Sequence, residues 1–407
     1  MEKSLYVLTR KMGAWYRLTS TKTKSEVDLD ELHFSRFKDG DLSVFSDQEI
    51  QTLFEMGFLV ENREAEVHQV CDKIDRHNRE NAIIILFPTL QCNFRCKYCY
   101  ESKYPSKLDS RFYRTLLELI PFHSLKKLKI AWFGGEPSME LTDVVSFHKS
   151  CKDKASQFNC EVTGHMTTNF YLLNNKRFEQ LVDAGITNFQ VTLDGLEDVH
   201  DRYRPLANGG KTHNAVFQNL LNCKNSDRDF NITIRTNFDA VTDYKPFIRT
   251  LQVFKDDSRF VFSINEIFSG SPIKEELICT PQQALLRRKE LAAIYKEYGL
   301  PLLENKEKLT FFASCYACHP GTVVLDEKGH VRKCTVHLND PKNDLGVLGQ
   351  CELDDSYWSN YRFKDCPTCR FFPICLGRMC RYKPADNRAN CEKERTTEYE
   401  VLCGKEE

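Results

Sequence analysis

Gln91-Cys92-Asn93-Phe94-Arg95-Cys96-Lys97-Tyr98-Cys99-Tyr100 places three cysteines in one tight loop at C-x3-C-x2-C spacing, with no fourth cysteine close by. Thiolates hold iron–sulfur clusters, and a four-iron cluster has four corners to fill. Three ligands leave one iron open to a substrate or cofactor, just as a catalytic zinc site keeps one position vacant. The loop follows a fully apolar run, Ala82-Ile83-Ile84-Ile85-Leu86-Phe87, which reads as a buried strand. The cluster would then sit just past the C-terminal end of a strand, where parallel α/β folds carry their active sites. Random placement of the chain's 18 cysteines among 407 residues yields roughly 0.035 such triplets, so coincidence is a poor account. Incidental thiols and a zinc site are the alternatives, although no histidine lies near enough to complete a local tetrahedron.

The triplet, with Tyr98 just before its last cysteine, resembles the radical S-adenosylmethionine superfamily. The resemblance implies that the open iron binds the amino and carboxylate groups of S-adenosylmethionine. One electron then cleaves the sulfonium and releases a 5′-deoxyadenosyl radical, which takes a hydrogen atom from a substrate carbon. The cofactor carries the difficult chemistry, and the protein supplies aim, electrons and exclusion of water. An electron donor such as flavodoxin or ferredoxin is implied with it.

Composition narrows the setting. Net charge is −1 with 28% charged residues, which gives no basic bias toward nucleic acid. No apolar run approaches the ~18 residues of a membrane helix, and the N-terminus has no secretory apolar region. Many cysteines without a signal peptide point to metal or redox chemistry in a reducing cytoplasm rather than to disulfides. Ten of the 18 lie in the last 93 residues.

From about residue 80 to 310 the pattern alternates strand and helix. Strands are expected at Ala82–Phe87, Leu128–Phe133, Glu161–Thr168, Asn188–Leu193, Asn231–Thr236 and Phe260–Glu266. Helices are expected at Arg111–Ile120, Asp143–Ser156, Lys176–Ala184, Asn214–Cys223, Asp243–Phe254 and Pro281–Tyr298. Repeated βα units with short links imply a parallel sheet with right-handed crossovers. Six units fall short of an eight-unit barrel, so the expected fold is α/β, a partial (β/α)6 TIM-like barrel whose open side admits a large substrate. Three spans follow: an N-terminal small α+β domain and linker (1–79), the partial barrel (80–310), and a cysteine-rich iron–sulfur domain (311–407).

Residues 1–60 read as a hairpin, Leu5–Leu8 and Trp15–Leu18 about Met12-Gly13, followed by short helices; residues 61–80 fit a linker helix. This module resembles the leader-peptide recognition domains of peptide-modifying radical enzymes, which capture a peptide by strand addition to a sheet edge. A packing extension over the barrel mouth is the alternative.

Strand ends supply the expected cofactor contacts. Trp132-Phe133-Gly134-Gly135-Glu136-Pro137 ends the second strand, and two glycines let backbone carbonyls approach a ligand closely. In the superfamily a Gly-Gly-Glu-Pro motif contacts the methionyl amine. Thr167-Thr168-Asn169, Thr192-Leu193-Asp194-Gly195 running into His200–Arg204, and Ile232–Asn237 end later strands and resemble family segments that line the site. The resemblance assigns Asn169, Thr192 and Asp194 to the ribose and amine, with Tyr98 also near the cofactor. Arg235 is expected at the carboxylate, because a guanidinium fork matches it bidentately.

The tail carries a second pattern, Cys318-x10-Gly329-x4-Cys334 followed by Cys366-x2-Cys369-x5-Cys375, then Cys380 and Cys391. It resembles the SPASM extension of radical enzymes acting on peptides, which holds two further four-iron clusters. The resemblance puts Cys315, Cys318, Cys334 and Cys380 on one cluster, and Cys366, Cys369, Cys375 and Cys391 on the other. Four residues separate Cys375 from Cys380 where the family usually has three. A pair of zinc ribbons is the alternative. Cys71, Cys151, Cys160, Cys223, Cys279, Cys351 and Cys403 read as ordinary thiols.

Auxiliary clusters suit a net oxidation, since they can accept the surplus electron. The expected activity is modification of a ribosomally made precursor peptide, leader plus core, installing a thioether, a carbon–carbon crosslink or a ring. An anaerobic sulfatase maturase is the runner-up. Those enzymes resemble one another in an aspartate after the cysteine equivalent to Cys334, where this chain has Thr335, which is no base near neutral pH. A non-catalytic iron–sulfur carrier is the third reading.

Overall fold

The computed structural model describes residues 1–267, 277–303, 315–350, 354–378, 380–382 and 387–402. Cys351, Cys403 and the expected boundary at 310 lie outside these. The chain packs as two units. One comprises Met1–Arg79, Glu307–Gly321 and Asp354–Glu407; the other comprises Glu80–Lys306 and Thr322–Leu353. The division between the units falls at Arg79/Glu80, and residues 315–350 and 354–402 contribute to both units.

The first unit starts with β1 (Glu2–Lys3), β2 (Val7–Met12), β3 (Trp15–Ser20) and β4 (Glu26–Asp30). Gly13 takes φ +61° and turns β2 into β3, as the Met12-Gly13 signal requires. The expected hairpin is thus one half of a three-stranded antiparallel sheet, β2-β3-β4. Next come α1 (Glu31–Asp39), α2 (Asp47–Glu55), β5 (Leu59–Val60), which pairs with β1, and α3 (Arg63–Glu80). Ser46 and Glu49 start α2 with a reciprocal capping box, and α3 fills the expected linker.

The second unit is built on β6 (Asn81–Leu86), α4 (Ser110–Leu119), β7 (Lys127–Trp132), α5 (Leu141–Ser156), β8 (Glu161–Thr168), α6 (Asn175–Ala184) and β9 (Ile186–Thr192). It continues through α7 (Glu197–Tyr203), α8 (His213–Lys224), β10 (Asn231–Phe238), α9 (Lys245–Thr250), β11 (Phe260–Glu266) and α10 (Pro281–Glu297). The six strands run parallel in sequential order, the partial (β/α)6 TIM-like arrangement expected. Its core is one apolar cluster from Ile84, Ile130, Met166, Val191, Ile234 and Phe262 outward to the helices. Beyond expectation, β12 (Thr322–Leu325) adds in parallel to β6, and β13 (Val331–Arg332) pairs antiparallel with β12.

The chain returns to the first unit with α11 (Ser356–Ser359), α12 (Phe372–Cys375) and α13 (Arg388–Leu402). This tail shares a core with the N-terminus: Tyr6, Leu8, Val70 and Ile74 pack with Cys366, Cys369, Phe372, Cys375 and Tyr399. The Tyr6 hydroxyl donates to the Pro367 carbonyl at 2.7 Å, and Thr21 donates to the Arg370 carbonyl at 2.7 Å.

Candidate active site

The cysteine loop leaves β6 and is clamped on two sides by backbone. On one side Gly135 N donates to Thr89 O (3.0 Å) and Glu136 N to Gln91 O (2.9 Å). On the other, Arg95 N and Lys97 N donate to Pro205 O and Tyr203 O, while Ala207 N donates to Asn93 O. The Arg95 guanidinium closes the turn from within by donating to the carbonyls of Cys92 and Phe94. A loop that must present three sulfurs with little secondary structure of its own gains its shape from these borrowed partners.

Gly134 and Gly135 have a more immediate use than approach to a ligand. A Cβ on Gly135 would fall 2.3 Å from Gln91 O, and one on Gly134, at φ +103°, would fall 2.6 Å from Thr89 O. Absent side chains here let the end of β7 lie directly against the cysteine loop.

Cys92, Cys96 and Cys99 all line one cleft of about 200 Å³ at the C-terminal ends of the strands. Tyr98, Gly134, Gly135, Glu136, Asn169, Thr192 and Arg235 line the same cleft. Of the expected contacts only Asp194 stands behind the wall. It is fully buried, and its carboxylate accepts from the Tyr98 hydroxyl and from Asn237 N (2.9 Å). Arg204 donates to the Tyr98 oxygen at 2.8 Å and lies 4.0 Å from Asp194. Burial pushes the Asp194 carboxyl up, against the pull of Arg204. Asp194 therefore sets the position of Tyr98 rather than facing the cleft.

Glu136 is likewise committed. Its carboxylate is 1% exposed and accepts from Ser138 N, Thr168 Oγ1 and Asn169 N, which ties the end of β7 to that of β8. Asn169 passes the constraint on by donating to Asn93 Oδ1 at 2.7 Å in the cysteine loop. The Arg235 Nε donates to Asn237 Oδ1 at 2.8 Å, which fixes the arginine across the cleft floor. Sequence reasoning missed Gln190, Arg204 and Asn237 as individual lining residues; for Arg204 and Asn237 the signal was present, since both lie within strand-end segments already singled out.

The donor set fits a cluster that leaves one iron open. Burial pushes the Cys92 thiol up to about 12 and raises Cys96 as well. Thiols so placed resist ionisation unless a metal takes the charge, and a coordinating metal deprotonates them outright. Opposite them, Thr192 and Arg235 supply a hydroxyl and a cation at the spacing of adjacent strands, which suits the polar groups of an amino-acid-bearing nucleoside.

In the first unit, Cys366, Cys369, Cys375 and Cys391 line one small cavity together with Arg388 and Arg395. The Cys315 thiol is hydrogen-bonded to Cys318 and Cys380 and is pushed up to about 11. These are the four members of one expected ligand set and three of the other. Cys334, the remaining member, is buried in the second unit.

Residues 86–243 match the model of the Radical SAM superfamily. This stretch is a radical SAM domain. Similarity to curated proteins falls over it: 26% identity across 172 residues with an uncharacterized protein of Methanocaldococcus jannaschii, and 32% across 130 residues with the GTP 3',8-cyclase of Sulfurimonas denitrificans. The matches cover 42% and 30% of this chain and 58% and 38% of those proteins, so the chain spans less than two thirds of their length. Among solved structures, anSMEcpe with bound AdoMet superposes with a TM-score of 0.57 at 16% identity, covering 79% of this chain and 98% of that one. SuiB of Streptococcus suis, bound to precursor peptide SuiA, gives 0.52 at 13% identity, covering 93% and 95%. At such identities the likeness establishes the fold alone, a partial TIM-like α/β barrel.

Proposed function

We propose that this chain is a radical S-adenosylmethionine enzyme that oxidatively modifies a precursor peptide, forming a thioether, a carbon–carbon crosslink or a ring. The observation that carries the reading is the convergence of three loop cysteines and the ends of β7 to β10 on one cleft. When bound, a four-iron cluster and S-adenosylmethionine supply a carbon radical able to remove a substrate hydrogen atom. The chain's own residues do the rest. Cys92, Cys96 and Cys99 hold the cluster, and Arg235 and Thr192 orient the cofactor's carboxylate and ribose. Tyr98, held by Asp194 and Arg204, walls the site against water. The cysteine sets in the first unit are the candidate holders of two auxiliary clusters that take up the surplus electron.

The N-terminal sheet supports a peptide substrate. Strand β4 is an edge strand among the described residues, and beside it lies a groove of about 300 Å³ lined by Trp15, Val27, Leu29, Phe45 and Leu53. An extended peptide can add to that edge and seat apolar side chains in the groove. Fold likeness over 93% of this chain to a protein solved with its precursor peptide agrees with this use.

The test is reductive cleavage of S-adenosylmethionine by anaerobically reconstituted protein. Wild type is expected to release 5′-deoxyadenosine with dithionite, and Cys96→Ala to lose both this product and the cluster's absorbance. A wild type that binds iron and sulfide yet never cleaves the cofactor would be an electron carrier instead.

A further inference from the structure

Resting on the radical chemistry proposed above, which draws one electron from outside the chain, we infer that the outward face of the cysteine loop docks an acidic one-electron carrier protein. This face holds a groove of about 420 Å³ with a lining of its own. Cys92 lines both the groove and the cofactor cleft. The groove thus reaches a candidate iron ligand without passing through the space that S-adenosylmethionine would fill.

Local pairing explains how one loop presents two faces. Phe94 and Leu206 form an antiparallel bridge, and Arg95 N and Lys97 N donate to Pro205 O and Tyr203 O. Extended backbone sends successive side chains to opposite sides. Phe94 and Cys96 accordingly line the cleft, whereas Arg95 lines the groove and Lys97 is exposed. The alternation that aims sulfur inward aims positive charge outward.

That charge is concentrated here. Residues 91–107 and 202–211 carry seven lysines and arginines against one carboxylate, Glu101, in a chain of net charge −1. Three of the seven are occupied: Lys107 by Glu140 and Asp143, Lys211 by Glu197, and Arg204 by Tyr98 beside Asp194. Arg95 meets neutral carbonyls, which leave its charge uncancelled. Arg202 lies over the Tyr203 ring, and among the described residues neither it nor Lys97 nor Lys103 makes an ion pair. No carboxylate among the described residues lines the groove, to which Pro105, Met139 and Leu206 add apolar surface.

Four uncancelled cations attract an anionic surface and steer its approach. Electron-transfer partners meet through small, short-lived interfaces, so a compact charged face around one groove suffices. One electron passes from the carrier to the site formed by Cys92, Cys96 and Cys99. The carrier is oxidised by one electron, and no bond forms or breaks at the interface. An acidic segment of the substrate is the competing occupant, but bound here it would lie outside the cleft in which hydrogen is removed.

The probes are two acidic carriers, flavodoxin and a two-iron ferredoxin, together with hexaglutamate. Each is titrated calorimetrically into full-length reconstituted protein at about 50 mM and about 500 mM salt, which span weak and strong screening. At least one carrier should bind at the lower salt and lose most of its affinity at the higher. Lys97→Glu reverses a charge on the face, and Ala207→Glu puts a carboxylate on an exposed residue of the groove lining. Each should weaken carrier binding roughly three- to thirtyfold, from an attraction lost or a repulsion gained. Iron content and circular dichroism check both variants, and Ala207→Glu carries the test if Lys97→Glu loses iron. Both should cleave S-adenosylmethionine at the wild-type rate with dithionite, a small reductant that needs no docking face, and more slowly with the carrier. Absence of carrier binding, affinity untouched by both substitutions, or binding of hexaglutamate where neither carrier binds would overturn the inference. Without dithionite-driven cleavage by wild type the enzymatic reading fails, while the binding result stands.

Discussion

Gly135 has almost no freedom to change. Its missing Cβ is replaced in space by the carbonyls of Leu90 and Gln91, at 2.5 and 2.3 Å from where that atom would stand. Backbone cannot swing aside as a flexible side chain can, so Gly135→Ala must push the cysteine loop off the end of β7. The expected cost is about 2 kcal/mol or more of stability, read from urea unfolding, with loss of iron at the loop even in folded protein. Glu136 shows why single residues were only half legible. The motif marks it as belonging to the site, yet its three hydrogen bonds to Ser138, Thr168 and Asn169 depend on where β8 ends, which local sequence does not state. Asp194 and Tyr98 teach the same point, because their partnership joins residues far apart in the chain.

At the scale of elements, local pattern disclosed all six barrel strands to within two residues at each end: β6 is a nearly continuous apolar run, and β10 alternates buried with half-buried positions. Among the described residues five strands escaped, three of them (β1, β5 and β13) only two residues long. β4 reads Glu26-Val27-Asp28-Leu29-Asp30, a clean period-two alternation masked by its acidic content. β12 is a short run in the cysteine-rich tail, and nothing in a run of four residues reveals pairing with β6, so distant in sequence. Helix α7, seven residues long, is too short to show a period. The β4 edge carries the element-scale prediction. Trp15 is 52% exposed and lines the groove beside that edge. Trp15→Ala should weaken binding of the cognate leader peptide by roughly 1–3 kcal/mol, measured by fluorescence anisotropy of a labelled leader. An unchanged affinity would reduce the sheet to packing.

For the whole molecule, buried histidines set the acid limit. His148 is wholly buried on α5, and burial holds it down to about 4; His165 on β8 is also held down to about 4, again mainly by burial. In the unfolded chain these rings take up a proton near pH 6.5. Unfolding therefore binds protons between about pH 6.5 and 4, and stability must fall as pH drops through that window. His148→Leu should shrink the stability difference between about pH 7.5 and about pH 5 by on the order of 2 kcal/mol, read from urea midpoints. A difference of wild-type size would show that the ring is already protonated in the fold.

The core shared by the segments before and after the barrel bears on how this protein is made. Tyr6, Leu8, Val70 and Ile74 leave the ribosome before the barrel, but the residues they pack against, Phe372, Cys375 and Tyr399 among them, are translated after it. The barrel between them can fold during synthesis, as domains commonly do, while the leading segment keeps an uncovered apolar face throughout. A prematurely terminated chain would thus carry a finished barrel and a sticky N-terminus, a combination that chaperones and proteases recognise. The core ahead of the barrel is closed only by residues that follow it.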